Sequence, residues 1–329
     1  MAVNQASRRV TPPDEGKLPA PRRTTTGRMP FRARLWRDSP LLVMVVPAMV
    51  VLLLFTYIPL LGSVIAFMDY VPFLGFTGSD WVGWDNFTAL FDDSAFWSAL
   101  WNTLQITFLQ LLLFFPIPIL LAVLMNTVAM PFAKRFVQSV IYLPHFLSWV
   151  IIVALFQQIA GGAGVINRVF ITHGLSPLDI MSNPDTFKLL ITTQAIWKDA
   201  GWGTIIFLAA ITAIDHGLYE SAVIDGAGAW RRFWHVTLPG MRSIIVLMLI
   251  LRLGDSLTVG FEQILLQRDS VGPGAAEVLD TFVYYHGVVD GSWGTATAAG
   301  LLKGIVSLLL VLMANKLAHR LGEEGVYRR

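Results

Sequence analysis

Six long apolar stretches constrain this chain more than any other feature of its sequence. They run over 41–66, 99–125, 137–160, 189–211, 243–261 and 293–316. A membrane helix needs about 20 apolar residues, and a typical strand is far shorter than any of these runs. Composition agrees: 55% of residues are hydrophobic, 14% are charged and the mean hydropathy is +0.61. An ordinary soluble domain carries about 25% charged residues, so these values argue against a soluble cytosolic enzyme. The expected fold class is all-α, a polytopic membrane protein with six transmembrane helices. Pro47, Pro59, Pro116, Pro118 and Pro144 fall inside the stretches. Membrane helices tolerate proline where neighbours satisfy the freed carbonyls.

The charges fix an expected orientation. Residues 1–40 hold nine Lys/Arg against three acids, with Pro12, Pro13 and Pro21 and no apolar period. They read as a disordered basic cytoplasmic arm. The apolar run that follows is too long for a signal peptide and reads as an uncleaved first helix. The loop 126–136 adds Lys134 and Arg135, the segment 212–242 adds Arg231, Arg232 and Arg242, and the tail from Lys316 adds four. Eighteen of the 24 basic residues therefore fall on one side of a six-helix arrangement. The opposite loops, 67–98, 161–188 and 262–292, hold only Arg168, Lys188 and Arg268. Basic loops stay cytoplasmic, so both termini are expected there, N-in and C-in. The domain organisation is then an arm over 1–40, a transmembrane domain over 41–316 and a cytoplasmic tail over 317–329.

Little in the chain supports chemistry of its own. Cysteine is absent, which removes disulfides, thiolate metal sites and cysteine nucleophiles. The six histidines, at 145, 173, 216, 235, 286 and 319, show no metal-ligand spacing. None of the six lysines sits in a Gly-x-x-x-x-Gly-Lys-Ser/Thr loop. No nucleophile elbow occurs. The chain is expected to be no enzyme, with no cofactor or metal of its own and no nucleic-acid partner.

The segment 212–242 is long for a link between packed helices, where about 2–8 residues are usual. From Ser221 to Ala229, six of nine residues are Ser, Ala or Gly. Gly226 and Gly228 weaken an isolated helix by about 1 kcal/mol each relative to Ala. By small-residue content alone, a surface connector explains the segment as well as a docking element does. The spacing is more specific. Glu220-Ser221-Ala222, three residues, Gly226, nine residues, Val236, one residue and Leu238-Pro239 resembles the EAA loop of binding-protein-dependent ABC importer permeases. That family shows Glu-Ala-Ala, three residues, Gly, nine residues, Ile, one residue, Leu-Pro. Ser221 and Val236 are the two departures. Asp225-Gly226-Ala227 resembles the carbohydrate-importer (maltose-type) branch. Tyr142-Leu143-Pro144-His145-Phe146-Leu147-Ser148-Trp149, Phe261-Glu262-Gln263-Ile264, Asp280-Thr281-Phe282-Val283-Tyr284 and Gly322-Glu323-Glu324-Gly325 resemble an oligosaccharide, aldouronate-like branch. The resemblance covers roughly 40–326.

That resemblance implies a type I ABC importer permease fold, multi-pass in the bacterial plasma (inner) membrane. It implies a short coupling helix in 212–242 seated on a separate ATPase, with Glu220, Ser221, Ala222, Asp225, Gly226, Ala227, Val236, Leu238 and Pro239 carrying the contact. It implies a second permease subunit, identical or homologous, two ATPase subunits that hold the ATP and Mg, and an extracytoplasmic solute-binding protein. The chain would form half of a pathway for a carbohydrate, most simply an oligosaccharide. A non-sugar solute on the same fold is the alternative. A secondary carrier is a further one, but no internal repeat supports it.

Polar groups inside apolar stretches are expensive and mark cavities or helix contacts. Gln194, Trp197, Lys198, Gly201 and Trp202 share one helix face. Rings beside hydrogen-bonding groups suit a sugar, while ordinary helix packing explains the same stripe. Arg252 and Asp255, three apart on one face, suit pairing with each other or across helices, with a pathway contact as the alternative. Asn102, Gln105 and Gln110 suit interhelical hydrogen bonding. His145 suits packing or a hydrogen bond. The outer loop predicts an amphipathic helix near 84–97 at the lipid surface, a face that the family resemblance implies would meet a solute-binding protein.

Overall fold

The computed structural model describes residues 38–320, 322, 323 and 325–327. Most of the basic arm, residues 1–37, lies outside them. The chain divides into two units, residues 1–60 and 61–329.

In the first unit, α1 covers Ser39–Leu52 and continues through a π turn, Leu53–Tyr57. It is apolar on every side, as a helix facing lipid is. The second unit opens with a 3₁₀ turn, Gly62–Phe67, and a two-residue hairpin of β1 (Met68–Asp69) and β2 (Asp80–Trp81), antiparallel with Met68 opposite Trp81. Next come α2 (Asp85–Asp92), α3 (Ser94–Leu109) and α4 (Pro116–Thr127). Then follow α5 (Pro131–Tyr142), α6 (Trp149–Ala160), α7 (Val165–Thr172) and α8 (Phe187–Thr212). The remaining helices are α9 (His216–Ile224), α10 (Ala229–Arg232), α11 (Arg242–Gly254), α12 (Phe261–Leu265), α13 (Arg268–Val271), α14 (Pro273–Ala276), α15 (Leu279–Tyr284) and α16 (Trp293–Arg320).

Among the described residues, four helical segments are long and apolar enough to cross a membrane: Ser39–Phe67, Ser94–Thr127, Trp149–Thr172 and Trp293–Arg320. Two bent pairs raise the number to six if each is one span. They are Phe187–Thr212 with His216–Ile224, bent by 69°, and Ala229–Gly240 with Arg242–Gly254, bent by 62°.

Proline explains much of the helix irregularity. Three of the π turns, Leu53–Tyr57, Gln110–Phe114 and Phe233–Thr237, end two residues before Pro59, Pro116 and Pro239. Proline has no N–H and its ring crowds the carbonyl four residues back. Widening the turn by one residue relieves both problems without breaking the helix.

Three expectations need correction. The apolar stretch 137–160 is not one helix. It breaks at the 3₁₀ turn Leu143–Phe146, after which Leu147 and Ser148 are extended and Ser148 caps α6. Pro144 disfavours a helical residue before it and donates nothing after it. The stretch 243–261 stops at Gly254, and the chain turns through Gly260 at φ +103° before α12. The helix expected near 84–97 is two helices, because Asp93 caps α3 by accepting from Ala95 N at 2.8 Å. Phe87, Leu90 and Phe96 enter the protein core, while Trp84, Phe91 and Trp97 stay exposed.

The core of the second unit runs along α3–α4. At one end Phe96 and Ala99 join Phe87, Leu90, Leu279 and Phe282. At its middle Ile106 meets Phe187 and Ile191 of α8. At the other end Ala122 meets Phe207, Ile211, Ile214 and Met241.

Candidate functional site: an exposed helical elbow and a clamped helix break

The first region is the turn between α8 and α11. Asp215 caps α9 by accepting from Gly217 N at 2.9 Å. At the far end Ala227 N donates to Ala222 O at 2.9 Å and Gly226 N to Val223 O at 3.0 Å. This is a Schellman ending, which places its central residue in the left-handed region. Gly226 fills that place with φ +74°. A side chain there would meet nothing within 4 Å, so the backbone conformation alone demands glycine within this chain.

α9 is tied down on one face only. Tyr219 packs into the cluster of Ile211, Ile214 and Met241, and its hydroxyl lies 3.0 Å from Thr237 Oγ1. Val236 joins the same cluster. The opposite face is bare. Leu218, Val223 and Ile224 are exposed, Ile224 to 86%, and so are Glu220, Ser221, Asp225 and Gly226. Ala222, Ala227, Val236 and Leu238 are half-buried, and Pro239 is exposed. The structure thus gathers all nine residues singled out in the sequence into one elbow. A link missed by sequence reading braces it. Glu323 of the tail accepts from Arg242 Nε at 2.9 Å and from Ser243 Oγ at 2.7 Å.

The second region is where the break at 143–148 meets α8. The break leaves carbonyls without helical partners. Lys198 Nζ donates to two of them, His145 O at 2.8 Å and Leu147 O at 2.6 Å, and lies 5.6 Å from the centre of the Trp149 ring. His145 Nδ1 is 2.8 Å from Asp199 Oδ1, and its ring stacks on Trp202 at 4.5 Å and 5°. Phe146 meets Trp202 edge-on. Gly201 makes the approach possible, since a Cβ there would lie 1.9 Å from Ile141 O.

The stripe on α8 therefore divides by role. Lys198 is 9% exposed and spent on backbone. Gln194 is fully buried in an amide cluster with Gln263 and Gln267, paired reciprocally with Gln267 at 3.0 and 3.1 Å. Trp197 packs on Phe156. Trp202 keeps 46% of its surface exposed, beside half-exposed His145 and Asp199. These last three form an exposed aromatic and hydrogen-bonding face. The sequence offered no sign that Gln263 and Gln267 would reach Gln194, because the pairing is tertiary.

Arg252 and Asp255 do not pair with each other among the described residues. Arg252 instead donates to Gln110 Oε1 and lies over the Phe114 ring at 5.2 Å, gripping the π turn. Asp255 is exposed at the C-cap of α11. The amides on α3 do join helices: Asn102 reaches Gly274 O and Glu277 O at 3.1 and 3.0 Å, and Gln105 accepts from Lys188.

The chain can now be set beside known proteins. Residues 114–322 match the family model described as binding-protein-dependent transport system inner membrane component. The chain is 46% identical to the polygalacturonan/rhamnogalacturonan transport system permease protein YteP of Bacillus subtilis, over 89% of this chain and 92% of that one. It is 42% identical to Protein LplB of the same organism, over 94% and 98%. It is similar to a chain in the crystal structure of the bacterial alginate ABC transporter in complex with alginate pentasaccharide-bound periplasmic protein. That likeness has a TM-score of 0.82 at 36% identity and covers 90% of this chain and 99% of the other. By sequence, length and fold together, the chain belongs to the family of binding-protein-dependent transport system inner membrane components.

Proposed function

We propose that this chain is the membrane permease of an ATP-driven importer for a carbohydrate, most simply an oligosaccharide. The observation that carries the reading is the match to an alginate importer subunit over 99% of that subunit's length, at a TM-score of 0.82. The polygalacturonan/rhamnogalacturonan transport named for the 46% identical relative points to the same class of substrate.

In this reading the chain crosses the bacterial plasma membrane six times, each bent pair being one span, with both termini cytoplasmic. The count of basic residues supports this arrangement. A second permease, identical or homologous, completes the pathway. Two ATPases supply the energy with their own ATP and Mg, and an extracytoplasmic binding protein delivers the sugar. Lipid surrounds the bundle.

The elbow at 212–242 is the contact to the ATPase. Exposed Leu218, Val223 and Ile224 give an apolar seat, and Glu220 and Asp225 give its charged rim. Closing two ATPases would draw two such elbows together. Because Tyr219 and Val236 root the elbow in the core at α8 and α11, the motion passes to those helices as a rigid shift between discrete packings. The open face of Trp202, His145 and Asp199 is the chain's contribution to the pathway, stacking a ring and bonding its hydroxyls. Gln194, Trp197 and Lys198 hold that face in place, and Arg252 holds the neighbouring π turn.

The test is purification of the chain from its native host, wild type beside Gly226→Leu and Glu220→Lys. Wild type is expected to retain an ATPase and a second permease. The variants are expected to fold, to keep the permease partner and to lose the ATPase and labelled-sugar uptake. Wild type recovered alone, or either variant transporting at the wild-type rate, overturns the reading.

A further inference from the structure

The last helix, α16, is pinned at both ends. Its 28 residues make it about 42 Å long, more than the roughly 30 Å apolar thickness of a bilayer. At its first turn Gly294 has no room for a side chain. A Cβ there would lie 2.6 Å from Met68 O and 2.4 Å from Asn86 Nδ2. Asn86 is itself fixed, donating to Ala66 O at 3.1 Å and to Met68 O at 2.9 Å. Strand β1 and helix α2 therefore close directly on the backbone of α16.

Gly322, Glu323 and residues 325–327 fasten the other end. Gly322 N donates to His319 O at 3.2 Å and Glu323 N to Ala318 O at 3.0 Å. This is the same ending as at Gly226, and Gly322 takes the left-handed place with φ +78°. The chain then folds back along the helix. Tyr327 N donates to Asn315 Oδ1 at 3.2 Å, and His319 Nε2 lies 2.8 Å from Tyr327 O. Gly325 passes so close that a Cβ would lie 2.0 Å from Asn315 Oδ1.

This fold-back aims Glu323 at the first turn of α11. One carboxylate oxygen accepts from Arg242 Nε and the other from Ser243 Oγ, and the side chain is only 11% exposed. A carboxylate bonded to a guanidinium is a stronger tie than a neutral contact. Arg242 and Ser243 begin α11 directly after the elbow. At the far end of α11, Gly254 packs so closely on α16 that a Cβ would lie 2.8 Å from Val311 Cγ2. Farther along α16, Lys303 pairs with Asp280, and Ala298 and Ala299 join the cluster of Phe96 and Phe282. Close-packed elements held at this many points pass on a displacement rather than absorb it.

We propose that the tail is a clasp and Glu323 its positioning residue, through which α16 carries the elbow's shift to the opposite face of the membrane. When an ATPase moves the elbow, α11 moves with it. The clasp makes α16 follow, and the contact at Gly294 passes the shift to β1 and α2, where solute arrives. With the clasp open, α11 slides along α16 and the shift is lost. The inference rests on the ATPase contact and the orientation proposed above.

A fluorescent reporter tests it on the full transporter assembly in lipid nanodiscs. Ser292→Cys places one thiol at the exposed start of α16, in a chain that has no cysteine of its own. The same assembly with Ser292 kept gives the background from partner subunits. An environment-sensitive dye is attached and a non-hydrolysable ATP analogue is added. With the intact tail the dye signal is expected to shift. Glu323→Ala is expected to lose most of that shift and to hydrolyse more ATP per sugar imported, with unfolding temperature and ATPase retention unchanged. Glu323→Gln keeps the shape and the bond to Ser243, and is expected to fall between the two. A full shift with wild-type stoichiometry in Glu323→Ala overturns the clasp. So does a Glu323→Ala that unfolds early or drops the ATPase while Glu323→Gln behaves as wild type, since the tail then serves stability alone. If wild type gives no shift while its ATPase works and sugar enters, α16 carries nothing and the importer still stands. If wild type holds no ATPase and imports no sugar, the importer reading falls with it.

Discussion

The elbow and the clamped break are both irregular segments between helices, and they are stabilised in opposite ways. The elbow satisfies its backbone locally. Asp215 caps one end of α9 and the Gly226 turn closes the other, so the backbone bonds that end this helix lie within a few residues. The break satisfies its backbone at a distance. Lys198 supplies the carbonyls of His145 and Leu147 from residues more than 50 positions away. A segment that is locally complete can leave one face bare for a partner. A segment that depends on a buried ammonium cannot move without exposing costs elsewhere.

The largest effect expected from this contrast is at Gly201. Any Cβ there would lie 1.9 Å from the Ile141 carbonyl, in backbone that has little room to give. Gly201→Leu is expected to yield no folded protein, read as aggregation on detergent extraction. Folded, active Gly201→Leu would show that the break is not clamped against α8.

Lys198→Met comes next. It keeps the length of the apolar stem and strands two half-buried carbonyls, at about 2 kcal/mol or more in total. The expected readout is a clear drop in the unfolding temperature of the purified permease, with parallel losses of assembly and transport. A variant that keeps its stability and loses only transport would move Lys198 from a structural brace to a sugar contact.

Gly226→Ala should reverse that pattern. A left-handed position costs a non-glycine residue about 1–2 kcal/mol, and nothing in this chain crowds the new methyl group. Stability should fall little. Sugar-stimulated ATP hydrolysis should fall much more, since the elbow's shape is what a partner reads. If Gly226→Ala lowers the unfolding temperature as far as Lys198→Met, the two regions are not distinct in kind.

The same contrast explains what the sequence made legible. The elbow's nine residues were readable through the resemblance of their spacing to the EAA loop, and Gly226 holds a backbone angle that the spacing marks. The apolar stretches were readable as helices, except where Pro144 and the turn at Gly260 interrupted them. The stripe on α8 was readable as a face, but its division was not. Whether Lys198 meets a sugar or a carbonyl depends on where the break at 143–148 lies, and no local pattern encodes that. Which of the two open partners Arg252 takes was hidden for the same reason. Its neighbour in sequence is Asp255, but its partner is Gln110, at a π turn set by Pro116.

The smallest effect, and the one that sharpens the comparison most, is expected at Tyr219. Its ring is rooted in the core with Ile211 and Met241, and its hydroxyl lies 3.0 Å from Thr237 Oγ1. Tyr219→Phe keeps the ring and removes one neutral hydrogen bond, worth about 0.5–1.5 kcal/mol. The fold should be nearly unaffected. If the elbow transmits force as a rigid body, this bond is the tie between α9 and the segment that leads into α11. Its loss should loosen coupling, seen as ATP hydrolysis that exceeds sugar uptake, with binding of the ATPase unchanged. Tyr219→Phe that transports with wild-type stoichiometry would mean that ring packing alone carries the force. Partial uncoupling would place the transmission in the hydroxyl pair, and Thr237→Val should then reproduce it without adding to it, because both changes delete the same bond.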